Sequence, residues 1–263
     1  MSFNTIEFAI DSGAAVITLN RPDKFNSFNT EMHQEIRTVM KEIRGNSEIR
    51  SLLITGKGRA FCAGQDLNDR SVAASDEAPD LGDSVEQNYN PLIRSITSLD
   101  IPVICAVNGI AAGAGVSLAL ACDIVLAARS SAFMMAFCKI GVIPDSGSTW
   151  ILPRLVGMAR ARALSLLGDK LSAEKAEEWG LIWQCVDDDK LAAESLAMAK
   201  HLATQPTKGL SLIKRALKAS TANSLDEQLE LEKDFMRIAG QTSDYREGVA
   251  AFTEKRPAQF IGK

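Results

Sequence analysis

One stretch restricts the possible folds more than any other. Residues 102–107, Pro-Val-Ile-Cys-Ala-Val, form a compact β-prone run, and Asn108-Gly109 leads from it to Gly113-Ala114-Gly115 and an almost purely apolar segment at 116–121. Another apolar run, 124–128, follows at once. A helix that is apolar on every face must be enclosed on every face, so strands and helices have to pack around this segment. A strand, a buried helix and a second strand in direct succession argue for an α/β fold with a largely parallel sheet. Small residues at a strand end also let a ligand approach the backbone, and the first N–H groups of the following helix lack partners within it.

The rest of the chain fits that frame. Residues 6–10 and 15–19 flank Asp11-Ser12-Gly13 and predict a hairpin, 30–44 have helical spacing, and 51–55 are a strand. The polar, glycine-bearing stretch 56–82, with an acidic run at 75–80, reads as a loop or mobile lid. Helical spacing returns at 84–99. From residue 158 onward the pattern is helical at 158–167, 172–179, 191–204, 208–220, 225–238 and 244–252, with one strand at 182–186. We expect a core domain at 1–170 and a helical region at 171–263, with no repeat of fixed period.

Composition removes several function classes. The net charge of −4 supplies no positive field for nucleic acid or anionic lipid, and no run of about 18 apolar residues is present. No nucleic-acid or membrane partner is therefore expected. Cys62, Cys105, Cys122, Cys138 and Cys185 are scattered, without a C-x-x-C pair or a nearby His, and read as free thiols rather than a metal site. Neither a metal nor a cofactor is expected. Residues 1–20 lack the features of a secretory signal, which predicts a cytoplasmic protein. His33 and His201 are read as exposed positions on helix faces. With no G-x-S-x-G elbow, no P-loop and no third glycine after Gly113-Ala114-Gly115, the sequence argues against hydrolase triads and nucleotide folds.

Several motifs, in order and spacing, resemble the crotonase (enoyl-CoA hydratase/isomerase) superfamily. They are Asn20-Arg21-Pro22, residues 59–67 (Arg-Ala-Phe-Cys-Ala-Gly-Gln-Asp-Leu), residues 102–115 with Cys122-Asp123, Gly141-Val142-Ile143-Pro144 with Gly147, Gly180-Leu181, and 244–256. The resemblance implies a crotonase-like (ClpP/crotonase) β-β-α spiral core with a C-terminal helical trimerisation region, assembled as a homotrimer or a dimer of trimers. It implies an acyl-CoA thioester substrate, whose CoA belongs to the substrate rather than to a cofactor. It also implies that the backbone N–H groups of Gln65 and Ala114 hold the thioester oxygen as an enolate forms. Such preorganised donors are among the largest catalytic contributions, roughly 3 to 4 kcal/mol each.

The departures bear on the reaction. Where the family's hydratases carry two water-holding glutamates this chain has Ser117 and Phe137, neither of which is a base. A carboxylate appears instead at Asp145, where the resemblance places the base of isomerases. The alternative reading of Asp145 is an N-cap of the next helix. Residues 127–150, Asp80-Leu81-Gly82, Tyr89-Asn90-Pro91 and 243–248 further resemble the branch that isomerises aromatic-derived acyl-CoA in bacterial phenylacetate degradation. That similarity implies possible association with other enzymes of that pathway. Substrate contacts are expected from Lys24, Phe25, Ala63, Gly64, Asp66, Leu67, Gly115, Phe137, Trp150, Phe252 and Lys255, with Phe133 and Met134 in the apolar wall. Two other readings stay open: hydration, dehalogenation or thioester hydrolysis on the same architecture, and a non-catalytic RNA-binding homologue. The absence of His from 84–99 counts against a dehalogenase.

Overall fold

The computed structural model describes residues 3–68 and 80–263. β1 (Ile6–Asp11) and β2 (Ala14–Leu19) form the expected antiparallel hairpin. α1 (Thr30–Gly45) follows, its first turn capped by the Asn29 side chain, which accepts the Met32 N–H. Three rounds then repeat one device. β3 (Ser51–Gly56) runs into β4 (Ala60–Cys62), β5 (Val103–Val107) into β6 (Ile110–Ala112), and β7 (Ile124–Ala128) into β8 (Ala132–Met134). β9 (Lys170–Ser172) and β10 (Gln184–Val186) complete the strands among the described residues.

The first strand of each round joins one sheet, in the order β1-β2-β3-β5-β7-β10, parallel from β2 onward. The second joins another sheet, in the order β4-β6-β8-β9. The rounds escape detection as a sequence repeat because the connecting segments differ in length. The small second sheet was also missed, since strands of three residues are too short to show a period. It corrects the reading of 56–82 as loop: Ala60, Phe61 and Cys62 are core residues of β4. Residues 69–79 of the expected lid, with most of its acidic run, lie outside the described residues.

Between β4 and β5 run α2 (Leu81–Ser84), a π-helical turn (Val85–Tyr89) and α3 (Asn90–Thr97). α4 (Ala114–Leu120) is buried along its whole length, as its composition demanded. α5 (Ser148–Leu167) begins ten residues before the helix read from the pattern, because Pro153 and Gly157 look like breakers; Gly157 does interrupt it, with φ of 75°. α6 (Ala173–Glu178), α7 (Leu191–Ala203), α8 (Thr207–Ala219), α9 (Leu225–Ala239) and α10 (Ser243–Glu254) follow. α7 packs on β2, β3, β5 and β7, so it and the strands β9 and β10 tie the segment beyond residue 170 to the two sheets.

His33 corrects another expectation. It is not on an exposed face but buried at 4% exposure, stacked on Phe28 at 4.8 Å and edge-on to Tyr89 at 4.7 Å. The α1 stripe that buries Met32, Ile36, Val39 and Ile43 is wide enough to take it in. All five cysteines are free thiols.

Candidate active site

The residues expected to act together come from three chain segments that the two sheets bring into contact. The first is the loop after β4. Phe28 N–H donates to Gly64 O at 2.7 Å and Asp66 N–H donates to Phe28 O at 2.8 Å, a one-residue parallel bridge that pairs Phe28 with Gln65. In such a bridge the residue between the bonded carbonyl and the bonded N–H points its own polar groups to the other side. The Gln65 N–H therefore faces away from Phe28. The Gln65 side chain is also held: Tyr89 Oη donates to its Oε1 at 2.8 Å, and its Nε2 donates to Phe28 O and Asp66 O.

The second segment is the N-terminus of α4. A Cβ on Gly64, whose φ is 90°, would lie 3.0 Å from Ala112 O and 3.3 Å from Ala114 N, so the two backbones touch at this point. A Cβ on Gly115 would lie 2.1 Å from Cys62 O. Glycine is required at both positions because main chain meets main chain there. Ala114 is the first residue of α4, where an N–H has no intrahelical acceptor. Gln65 and Ala114 thus supply backbone donors at one junction. Burial pushes the adjacent Cys62 thiol up to about 12, so it remains a neutral packing group.

The third segment is the turn that bears Asp145. The Ser117 hydroxyl on α4 lies 2.5 Å from Ser148 Oγ and 3.4 Å from the Asp145 carbonyl oxygen, to which Ser148 N–H also donates. This joins Asp145 to the helix that carries Ala114. The N-cap of α5 is Gly147, two residues after Asp145. Phe137 stands 3.8 Å from where a Cβ on Gly113 would be and is 7% exposed, an apolar neighbour for this junction.

The remaining expected contacts divide. Ala63 N–H donates to Phe25 O at 3.0 Å, which brings Phe25 and Lys24 beside the Gly64 loop. Asp66 is engaged by Arg21 at 2.8 Å and accepts the Asn68 N–H; burial, the largest single influence, would raise its carboxyl, but Arg21, the Asn68 N–H and the Lys24 charge together hold it below the usual range. Its side chain braces the loop. Leu67 is exposed, Trp150 is half-exposed with the Arg154 guanidinium 4.1 Å over its ring, and Phe133 belongs to the β8 core. Phe252 and Lys255 lie on and just after α10, in the C-terminal layer, where Phe252 is 88% exposed.

Sequence reasoning gave no site role to Asn26, Arg59 or Tyr89, although Arg59 and Tyr89 fall inside the motifs that carry the resemblance. Buried Asn26, with φ of 55°, donates to Lys57 O and Ala60 O and so ties the Asn-Arg-Pro turn to β4. Arg59 stacks over Phe25 at 4.3 Å. What each side chain holds is not legible locally, because its partner lies more than 20 residues away. A separate cleft of about 530 Å³ lies by Arg50, Ile101 and Thr207, at the amino-terminal ends of β3 and β5. The junction described above lies beyond the carboxyl ends of strands, the usual position of ligand sites in such folds. Among the described residues no three His, Cys, Asp or Glu side chains are grouped to hold a metal ion, and no helix is long and apolar enough to cross a membrane.

This architecture matches a known class. The family model for enoyl-CoA hydratase/isomerase covers residues 9–263, and the chain belongs to that family, with its crotonase α/β fold. It is 58% identical, over 97% of both chains, to the 1,2-epoxyphenylacetyl-CoA isomerase of Escherichia coli strain K12. It is 46% identical, over the full length of both, to a Rhodobacter capsulatus protein named as an enoyl-CoA hydratase. The solved structure of an enoyl-CoA hydratase/isomerase from Mycobacterium abscessus superposes with a TM-score of 0.94 at 33% identity, covering 98% of this chain and 100% of that one.

Proposed function

We propose that this chain is an acyl-CoA isomerase that converts ring-1,2-epoxidised phenylacetyl-CoA to the seven-membered oxepin-CoA and shifts 3,4-enoyl-CoA double bonds to the 2,3 position. The observation that carries the reading is the placement of one carboxylate, Asp145, on a turn hydrogen-bonded to the helix whose first N–H belongs to Ala114. The 58% identity to the Escherichia coli isomerase supports the aromatic substrate.

Both conversions reduce to one proton movement. The carbon α to the thioester loses a proton, the electron pair delocalises onto the thioester oxygen, and a proton returns to the γ carbon. In the epoxide case the γ carbon is a ring carbon, and the bond shared by the three- and six-membered rings breaks as the oxepin forms. Nothing is added or lost. Gln65 and Ala114 N–H groups stabilise the enolate oxygen, and Asp145 carries the proton between the two carbons. Hydration needs a second group to hold and activate water; Ser117 is instead fully buried against Ser148, and Phe137 is apolar.

The coenzyme A portion is assigned to Lys24, Phe25, Ala63 and Gly64, with Leu67, Gly115 and Trp150 nearer the acyl group, and no other cofactor. Phe252 and Lys255 are assigned to an acyl-CoA held by a neighbouring subunit of a trimer or dimer of trimers. Exposed Ile213, Leu217, Leu225, Leu229 and Met236 on α8 and α9 support that assembly. A cytoplasmic location fits the free thiols and the substrate. Mass-spectrometric product analysis after incubation with the epoxide, a 3-enoyl-CoA and crotonyl-CoA tests the reading. Oxepin-CoA and 2-enoyl-CoA are expected, with little 3-hydroxyacyl-CoA; rapid hydration of crotonyl-CoA without isomerisation would overturn it.

A further inference from the structure

The turn that carries Asp145 contains a residue poorly suited to its own backbone. Ser146 has φ of 54°, in the left-handed region, and Gly147 follows with φ of 79°. A side chain with a Cβ is strained in that region, whereas glycine enters it freely. Ser146 is also buried, at 3% exposure. Its hydroxyl caps no helix, since the N-cap of α5 is Gly147 without a side-chain bond. Instead, Ser146 Oγ donates to Asp145 Oδ1 at 2.9 Å.

The turn has other supports that do not involve the Ser146 side chain. Ser148 N–H donates to Asp145 O at 3.0 Å, and the Ser117 hydroxyl approaches the same oxygen and Ser148 Oγ, with Ser117 and Ser148 both at 0% exposure. Gly147 packs beside Ile93 of α3 and Ile151 of α5. The backbone path is thus held by the carbonyl of Asp145 and by the neighbouring helices. The Ser146 side chain adds one bond, and that bond goes to a carboxylate. Strained residues that the surrounding structure holds in place concentrate at functional sites.

We propose that Ser146 is a positioning residue for the Asp145 carboxylate, its hydroxyl fixing the direction in which the base faces the acyl chain. The proposal rests on the reading of Asp145 as the proton carrier. Two carbons must be reached in turn by one carboxylate, so a rotamer held by a hydrogen bond matters more here than in a single abstraction. Ser146 contacts the base and not the substrate, and its loss acts on kcat rather than KM.

The test uses the full chain with Ser146→Gly, Ser146→Ala and Asp145→Asn, assayed by 3-enoyl-CoA isomerisation and thermal melting. Ser146→Gly is expected to melt at or above the wild-type temperature while kcat falls about 10-fold or more at unchanged KM. Ser146→Ala is expected to lose the same activity but melt below Ser146→Gly, because it keeps the Cβ without the hydroxyl. A purely structural role would lower stability and activity together. Wild-type kcat in both Ser146 variants, or a loss confined to KM, would overturn the proposal. Asp145→Asn separates the two levels: if it retains full turnover, the proton-carrier reading falls and Ser146 with it. If it is inactive while both Ser146 variants turn over normally, only the Ser146 assignment falls.

Discussion

The surroundings of α4 and the layer formed by α8, α9 and α10 are held in place by opposite means. Every residue of α4 is buried, β5 is buried at every position, and backbone meets backbone at Gly64 and Gly115. Close packing of that kind tolerates almost no change of volume. The C-terminal layer leaves large apolar side chains open, Phe252 and Leu225 among them, and is fastened by directed polar bonds. Asp244, at 2% exposure, accepts the N–H groups of Ile261 and Gly262, while Arg50 donates to Phe260 O, Gln205 O and Thr207 Oγ1. The first region leaves its backbone junction no room for an added side-chain atom. The second leaves its apolar surface exposed, and its attachment rests on these polar bonds rather than on burying that surface.

Gly115→Ala puts the contrast to its hardest trial. Its Cβ would meet Cys62 O at 2.1 Å with no flexible side chain to give way. We expect a loss of about 3 kcal/mol or more in urea unfolding, with activity abolished; a variant of wild-type stability would mean that α4 is not the rigid element described here.

Asp145→Asn follows in size and leaves packing alone. Melting temperature is expected to hold while isomerisation falls by roughly 100-fold or more, and near-normal turnover in a stable variant would remove Asp145 from the reaction.

In the C-terminal layer, Asp244→Ala leaves two backbone N–H groups without their acceptor. The expected cost is about 2 kcal/mol, read as faster proteolysis of the last residues, with the kcat of the remaining folded enzyme little altered. A loss of kcat as large as that of Asp145→Asn would break the distinction between the two regions.

The smallest effect concerns the acid limb of stability. Arg256 first, and then the Gln259 N–H, bring the Glu247 carboxyl down from 4.5 to about 2. A carboxylate depressed on folding stabilises the native state above its unfolded value and loses that contribution as pH falls through the folded one. Glu247→Gln should therefore flatten the acid-unfolding curve slightly between pH 4.5 and about 2, and an unchanged curve would show that this exposed pair adds nothing.

Periodicity and composition were sufficient for β2, β3, β5 and β7, for α1, and for the enclosed α4, because burial on one face or on all faces writes itself into the order of apolar residues. The helices α7 to α10 were legible for the same reason. Motif order named Gln65, Ala114 and Asp145 as candidates, and the fold joins the segments that carry them. Short strands such as β4 and β6 were not legible, because three residues carry no period and their partners lie about 50 residues apart. His33 was misplaced because an isolated imidazole in a helical pattern says nothing of the Phe28 and Tyr89 rings that enclose it. The residue that begins α5, the left-handed φ of Ser146 and its hydroxyl aimed at the neighbouring carboxylate were likewise not legible in the chain order. Local order along the chain encodes what is buried and what is helical. Which backbone N–H faces a ligand, and which hydroxyl meets which carboxylate, follow from contacts between distant segments whose geometry exists only once both sheets have formed.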